Sequence, residues 1–238
     1  MTLGMFETVT EGFRLPHPSL SSRPLLIVEQ AICAAWVLMR TKPRGSFRLG
    51  TATEDEVTHE LYERLFDEVF SEGLVDGFDR EIFASVRREP KVRNYNGAHL
   101  DKMPDLLVDF VDRPTGAMNS QYGLFIECKP VDATHTVGFH YCDKGVVRFV
   151  RGDYAWAMSN GMMIAYARSG YTVSPKFYDA LSSRTALHAI APPCECPKSK
   201  ACAVSEVVYT TEHRRTFTYA NGSKPSAILI RHLWLKRE

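Results

Sequence analysis

The sequence predicts an α/β fold in which helices flank a mixed central β-sheet. Three short apolar runs bounded by turn residues, DLLVDFVD, YGLFIECK and GMMIAYAR, are typical of buried strands. Segments whose apolar residues recur at helical spacing stand before, between and after these runs. The predicted order is therefore helices, two strands, a helix, a strand, a further helix and two terminal strands.

Composition and charge narrow the class of protein. The chain has 238 residues, of which 45% are hydrophobic, and this suits one globular domain. The formal net charge of +1 means that nucleic-acid binding would depend on a local basic surface. No signal peptide is evident, so a cytoplasmic location and inert core thiols at Cys33 and Cys128 are expected. The apolar stretch from Pro24 to Met39 is interrupted by Glu29 and is predicted to be a buried helix, with no membrane contact.

The N-terminal part is predicted to be an extension that precedes the core. Residues 1–22 have no clear pattern, and Leu25 to Met39 form the first helix. These segments and the basic loop after them make up an extension over 1–52. Thr53 then begins an amphipathic helix as its N-cap, with Glu56 at the capping-box position.

The predicted core spans about 53–168, and its elements follow from apolar runs and turn signals. The C-terminal part, 169–238, adds a helix, a Cys-rich loop and a β-hairpin. The core elements are a helix at 54–72, strands near 105–111 and 122–129, a helix near 145–159 and a strand at 161–168.

Charged residues stand at the ends of two strands that otherwise have the composition of buried strands. Asp105 begins one strand, and Glu127 and Lys129 end the next, two residues apart and therefore on the same strand face. If the two strands are paired, Asp105 reaches the same point. Two carboxylates are suitable ligands for Mg²⁺ or Mn²⁺, and a neighbouring ammonium stabilises charge on a phosphorus centre. The pattern predicts phosphodiester hydrolysis, and the alternative is a solvated ion pair on an edge strand.

The segment MPDLLVDF…YGLFIECK resembles the bipartite signature of the PD-(D/E)XK nuclease superfamily, which has the restriction-endonuclease-like fold. Pro104-Asp105 matches the first half, and Glu127-Cys128-Lys129 matches the second. The resemblance implies a three-layer core with a mixed central sheet between helices. One strand of the family's three-stranded meander is not evident; the alternatives are that it lies in 84–95 or that it is lost in the loop.

The resemblance also implies a function. A member would be a metal-dependent endonuclease that leaves a 5′-phosphate, with DNA as the favoured substrate and restriction or anti-phage defence as the favoured setting. A homodimer or a subunit of a larger defence complex is the expected assembly. Two alternatives stay open: a nuclease for RNA or repair intermediates, and a catalytically silent relic that acts as a nucleic-acid-binding or assembly subunit.

Family members often take a further metal-binding acid from the first core helix. The candidates here are Glu54, Asp55, Glu56 and Glu60, of which Glu56 is favoured as a catalytic metal ligand and Glu60 comes second. The alternative is that these acids only stabilise the helix N-terminus.

Basic residues after the signature are candidates for substrate binding. Lys144, Arg148 and Arg151 recur at i, i+4 and i+7, which predicts one helix face beside the cleft, and Tyr141 stands next to them. A solvated helix face is an equally good interpretation. Further basic runs are RGSFR and RREPKVR.

The Cys-rich loop is a second candidate site. Cys194, Cys196 and Cys202, with His213 or His188, have the ligand types of a structural Cys₃His zinc site. The spacing is not that of a paired CxxC motif, so a loop with free thiols is the favoured alternative.

Overall fold

The computed structural model describes residues 13–168, 170–196 and 205–238, with the backbone alone described for 205–207. The chain forms an α/β fold around a mixed seven-stranded sheet, so the predicted fold class is confirmed. The strands are β1 (Phe83–Arg88), β2 (Leu106–Phe110), β3 (Gly123–Val131), β4 (Asn160–Ala167), β5 (Cys194–Cys196), β6 (Ser205–His213) and β7 (Ile228–Lys236).

The helices are α-helical in part and π-helical in part. Helix α1 is Ser22–Thr41, and α2 is Glu54–Glu63, continued by a π-helical segment over Arg64–Phe70. Helix α3 combines Val137–Val146 (π) with Val147–Arg151 (α), and α4 combines Val173–Phe177 (π) with Tyr178–Ser182 (α). Short 3₁₀ turns are Asn119–Gln121 and Thr185–Leu187.

The sheet has the strand order β1-β2-β3-β4-β7-β6-β5. Strands β1, β2 and β3 form an antiparallel meander, β4 pairs with β3 and with β7 in parallel, and β7, β6 and β5 are antiparallel. Strand β1 overlaps 84–95, one of the two places considered for the missing meander strand. The terminal pair β6–β7 continues the same sheet, because β7 lies directly beside β4.

Helices cover both faces of the sheet. On one face, Trp36 of α1 stacks on Tyr166 of β4 with ring centroids 5.6 Å apart, and Thr58 of α2 lies 3.0 Å from the Tyr166 hydroxyl. On the other face, Phe177 of α4 packs against Trp234 of β7. Side chains alternate along a strand, so the fully buried β4 contributes to two separate helix–sheet interfaces.

Helix α3 begins and ends at different residues than predicted. It starts at Val137 rather than near 145, because the Thr136 side chain accepts the Phe139 N–H and caps the helix. It ends at Arg151, since Gly152 adopts a left-handed conformation with φ of 74°. The helix also lies close to the sheet, and a Cβ on Gly145 would approach Met163 Cε to 2.6 Å.

Helix α1 is long and apolar enough, by length and composition alone, to cross a membrane. Much of it is buried against the sheet, where Glu29 forms an ion pair with Arg231 of β7. Cys33 in the same helix is disulfide-bonded, which corrects the expectation of a free core thiol, whereas Cys128 is a free buried thiol.

A chain of hydrogen bonds links the buried polar residues between the sheet and α3. His213 Nδ1 lies 2.7 Å from the Leu187 carbonyl oxygen and Thr211 Oγ1 lies 2.7 Å from both His213 Nε2 and His232 Nε2. His232 Nδ1 lies 2.9 Å from the Tyr141 hydroxyl. A carbonyl oxygen only accepts, so His213 carries its proton on Nδ1 and its Nε2 accepts from the Thr211 hydroxyl. Thr211 Oγ1 then accepts from the His232 Nε2–H, and His232 Nδ1 accepts from the Tyr141 hydroxyl. Burial lowers the pKa of His213 to about 4 and that of His232 well below its usual value.

The buried histidines predict a loss of stability in acid. Because the folded-state pKa of His213 lies below the unfolded-state value, its contribution is complete above pH 6.5 and is lost as the pH falls towards 4. The free energy of unfolding, measured with urea at several pH values, should fall more steeply below pH 6.5 in the wild type than in His213→Gln. The expected difference at pH 4 is roughly 3 kcal/mol. Parallel pH profiles for the two proteins would contradict the prediction.

Candidate active site

The two signature segments meet at the centre of the sheet. Strand β3 lies between β2 and β4, so Glu127 and Lys129 are on an interior strand, and the edge-strand alternative is wrong. Leu106 pairs with Ile126 across the antiparallel β2–β3 ladder, which brings Asp105 opposite Glu127. Asp105 Oδ2 accepts a hydrogen bond of 2.6 Å from the Cys128 N–H, and this bond holds the head of β2 against β3.

The Lys129 ammonium lies between oxygen atoms from three elements. Its Nζ is 2.7 Å from Glu54 Oε1 at the start of α2, 3.1 Å from Glu127 Oε1 and 3.6 Å from Asp105 Oδ2. It also donates to the Cys128 carbonyl oxygen at 2.8 Å. We call Glu54, Asp105, Glu127 and Lys129 the acid–lysine cluster.

The charged groups of the acid–lysine cluster shift one another's pKa values. Burial and the charge of Asp105 raise the pKa of Glu127 to about 7, against the opposing effect of Lys129 and Arg148. Burial raises the pKa of Asp105 despite the nearby ammonium. Burial would lower the pKa of Lys129, but the carboxylates outweigh it and raise that pKa, so Lys129 stays protonated.

Glu127 has further partners from α3 and the loop after it. The Tyr154 hydroxyl donates a short hydrogen bond to Glu127 Oε2, and Arg148 Nη1 lies 3.1 Å from Oε1. Neither Arg148 nor Lys129 approaches Oε1 with hydrogen-bond geometry, so this buried oxygen has no aligned donor. Sequence reasoning missed Tyr154 as a partner of Glu127, because nothing in the local pattern shows that the loop returns to β3.

The oxygen atoms of the cluster suit a hard divalent cation. Carboxylates and a backbone carbonyl are the ligand types of Mg²⁺, and the unaligned Glu127 Oε1 has free lone pairs. Among the described residues, no group of three or more His, Cys, Asp and Glu side chains is gathered as a ready-made metal site. Lys129 Nζ lies among the oxygens instead, so metal binding would require the ammonium and the carboxylates to adjust.

Glu54 joins the cluster in the position predicted for Glu56. Glu56 accepts the Thr53 N–H at 2.7 Å in a complete capping box and is exposed, so its carboxylate is engaged at the helix N-terminus. Glu60 forms a buried ion pair of 2.7 Å with Arg64. The capping box in the sequence already indicated this choice. Glu56, at its last position, is hydrogen-bonded to the N-cap, whereas Glu54, the first helical residue, takes no part in the box.

The four predicted substrate-binding residues lie in different places: one at the cluster, two on the surface and one in the core. Arg148 lies at the acid–lysine cluster, Arg151 is exposed at the end of α3, and Lys144 is exposed with its ammonium 4.8 Å above the Phe139 ring. Tyr141 is not a surface residue: it is fully buried and bonded to His232, so its assignment to substrate binding is wrong.

The predicted zinc ligands do not meet in the described part of the chain. Cys194 pairs with Thr210 and Cys196 with Val208, so both thiols share the sheet face of even-numbered β6 residues. His213 projects from the opposite face, and both its ring nitrogens are hydrogen-bonded. His213 is therefore not a ligand partner of these thiols, and Cys202 lies outside the described residues.

Comparison of the chain with protein-family models, with curated proteins and with solved structures finds no match.

Because Glu54 and not Glu56 lies in the acid–lysine cluster, two matched variants should behave differently. Glu54→Gln removes a charged oxygen from the cluster and should weaken Mg²⁺ binding several-fold in isothermal titration calorimetry. Glu56→Gln alters only the helix cap, so Mg²⁺ affinity should match the wild type while thermal stability falls slightly. Weaker binding in Glu56→Gln alone would show that the cap residue, not Glu54, is the metal ligand.

Proposed function

We propose that the protein is a Mg²⁺- or Mn²⁺-dependent endonuclease of the PD-(D/E)XK type. The observation that carries the proposal is the convergence of Asp105, Glu127 and Lys129 from two adjacent core strands. The Lys129 ammonium lies within 3.6 Å of both carboxylates, and Glu127 is completely buried. Two carboxylates and an ammonium gathered on interior strands are costly for folding, which favours a catalytic reason for them.

The order of the elements supports the same family. Helix α2, the antiparallel meander β1–β2–β3, the crossover through α3 and the parallel strand β4 follow the order of that family's core. Strand β1 supplies the meander strand that the sequence did not reveal.

The proposed roles follow from the position of each group. Asp105 and Glu127, with Glu54, hold the cation. When bound, it polarises the phosphodiester and lowers the pKa of a coordinated water. Lys129 keeps its proton beside the carboxylates and stabilises negative charge on the phosphate oxygens. Arg148 contacts a substrate phosphate.

The substrate and setting follow from the resemblance. DNA is the favoured substrate, and the exposed Lys144 and Arg151 are available for backbone contacts on α3. The setting is restriction or anti-phage defence in the cytoplasm, as a homodimer or as one subunit of a larger complex. An RNA or repair nuclease is the nearest variant of the proposal.

A second candidate is a subunit that binds nucleic acid or a partner without cleavage. It is favoured because Lys129 and Arg148 already offset two of the three carboxylate charges, as in a purely structural ion cluster. Metal-dependent turnover separates the two candidates.

The cleavage test compares the wild type with Lys129→Ala on duplex DNA, single-stranded DNA and RNA in Mg²⁺ or Mn²⁺. Loss of the ammonium should lower the cleavage rate by roughly 100-fold or more. The matched control is Lys102→Ala, which removes an ion-paired lysine bound to Asp153 outside the cluster and should keep the rate.

Stability gives the same variant a second readout. The Lys129 side chain is only 13% exposed and faces three carboxylates, so it also contributes to stability. Lys129→Ala should therefore lower the thermal midpoint in EDTA, and Mg²⁺ should recover part of the loss by replacing the missing positive charge. A loss of stability that Mg²⁺ leaves unchanged would favour the structural cluster.

A further inference from the structure

The two oxygens of Glu127 have different surroundings. Oε2 is fixed by the Tyr154 hydroxyl. Oε1 faces two cations, Lys129 Nζ and Arg148 Nη1, each at 3.1 Å, and has no aligned hydrogen-bond donor. Two positive charges on one unaligned oxygen are electrostatic counter-ions rather than hydrogen-bond donors, and a divalent cation on the same oxygen would have to displace at least one of them.

The two cations differ in their freedom to leave Glu127. Lys129 donates to Glu54 and to the Cys128 carbonyl as well, and its side chain is 13% exposed. The Arg148 side chain is 38% exposed and extends from the last turn of α3 towards Glu127. Arg148 is therefore the cation that can turn towards solvent with little loss of packing.

We propose that Arg148 is a counter-ion that stands in for the divalent cation at Glu127 Oε1 and turns to a substrate phosphate when that cation binds. The inference rests on the proposed metal site and deepens it. Three carboxylates, Glu54, Asp105 and Glu127, face only two cations, so the cluster attracts further positive charge. A divalent cation repels Arg148 from Oε1, and a phosphate attracts it, so each ligand favours the other.

The first test is Mg²⁺ affinity measured by isothermal titration calorimetry without any nucleic acid. Arg148→Gln removes the competing charge, so Mg²⁺ should bind about tenfold more tightly than to the wild type. Arg148→Lys keeps a cation and should stay near the wild-type affinity. Arg151→Gln removes the same charge from the exposed end of the same helix and should change the affinity less than about twofold, because distant exposed charges are screened.

The sign of the change decides the inference. If Arg148 only supported the structure of the site, Arg148→Gln would bind Mg²⁺ more weakly, and if it only contacted substrate, the affinity would not change. Either result overturns the proposal. Thermal unfolding of each variant in EDTA identifies a misfolded protein. If Arg148→Gln does not fold, Arg148→Met, which also removes the charge, takes its place with the same expected gain in Mg²⁺ affinity.

The second test measures the coupling between metal and phosphate. The probe is a nucleoside 3′,5′-bisphosphate, which has two phosphates but no phosphodiester bond to cut. Mg²⁺ should strengthen its binding to the wild type, and Arg148→Gln should lose most of that gain. An unchanged gain would overturn the transfer of Arg148 to phosphate. Neither readout requires cleavage, so a failure of the proposed endonuclease activity remains distinguishable from a failure of this inference.

Discussion

The site is held together by the ion pairs of the Lys129 ammonium with three carboxylates. The ammonium joins Glu54 from α2, Asp105 from the start of β2 and Glu127 from β3 in one cluster. Without a cation there, carboxylates from three elements would meet in a largely buried space, where like charges repel strongly and desolvation disfavours ionisation. The cluster therefore needs a cation whether or not a metal ion is bound. What can change is whether that cation is a side chain or a metal ion.

The fold keeps the cluster in place through close packing around β3. Strand β3 is paired on both sides, and Gly145 brings α3 within contact of Lys129 and Met163. This short distance lets Arg148 and the following Tyr154 reach Glu127 from above the sheet. A larger residue at 145 would push α3 outwards and move both partners away from the carboxylate. Packing and electrostatics are thus coupled at this one contact between helix and sheet.

Several site residues could be predicted from the sequence because local rules decide them. The strand period of two puts Glu127 and Lys129 on one face, and the capping-box pattern at Thr53 identified the start of α2 correctly. The same local rules failed where a residue had two possible uses. Glu56 was free to be a metal ligand or a helix cap, and Tyr141 was free to face solvent or the core. Only the packing of α2 and α3 on the sheet decided between these uses.

The α/β class, the strands β2, β3 and β4, and the placement of a carboxylate and an ammonium on one strand face could all be predicted from the amino-acid sequence. These depend on periodicity and on contacts between residues close in the chain, which a sequence displays directly. Three features became visible only in the folded chain: Glu54 completes the cluster, Tyr154 and Arg148 hold Glu127, and His213 lies on the sheet face opposite Cys194. Strand register and helix approach are set by long-range packing, and a shift of one residue in register moves a side chain to the other face of the sheet.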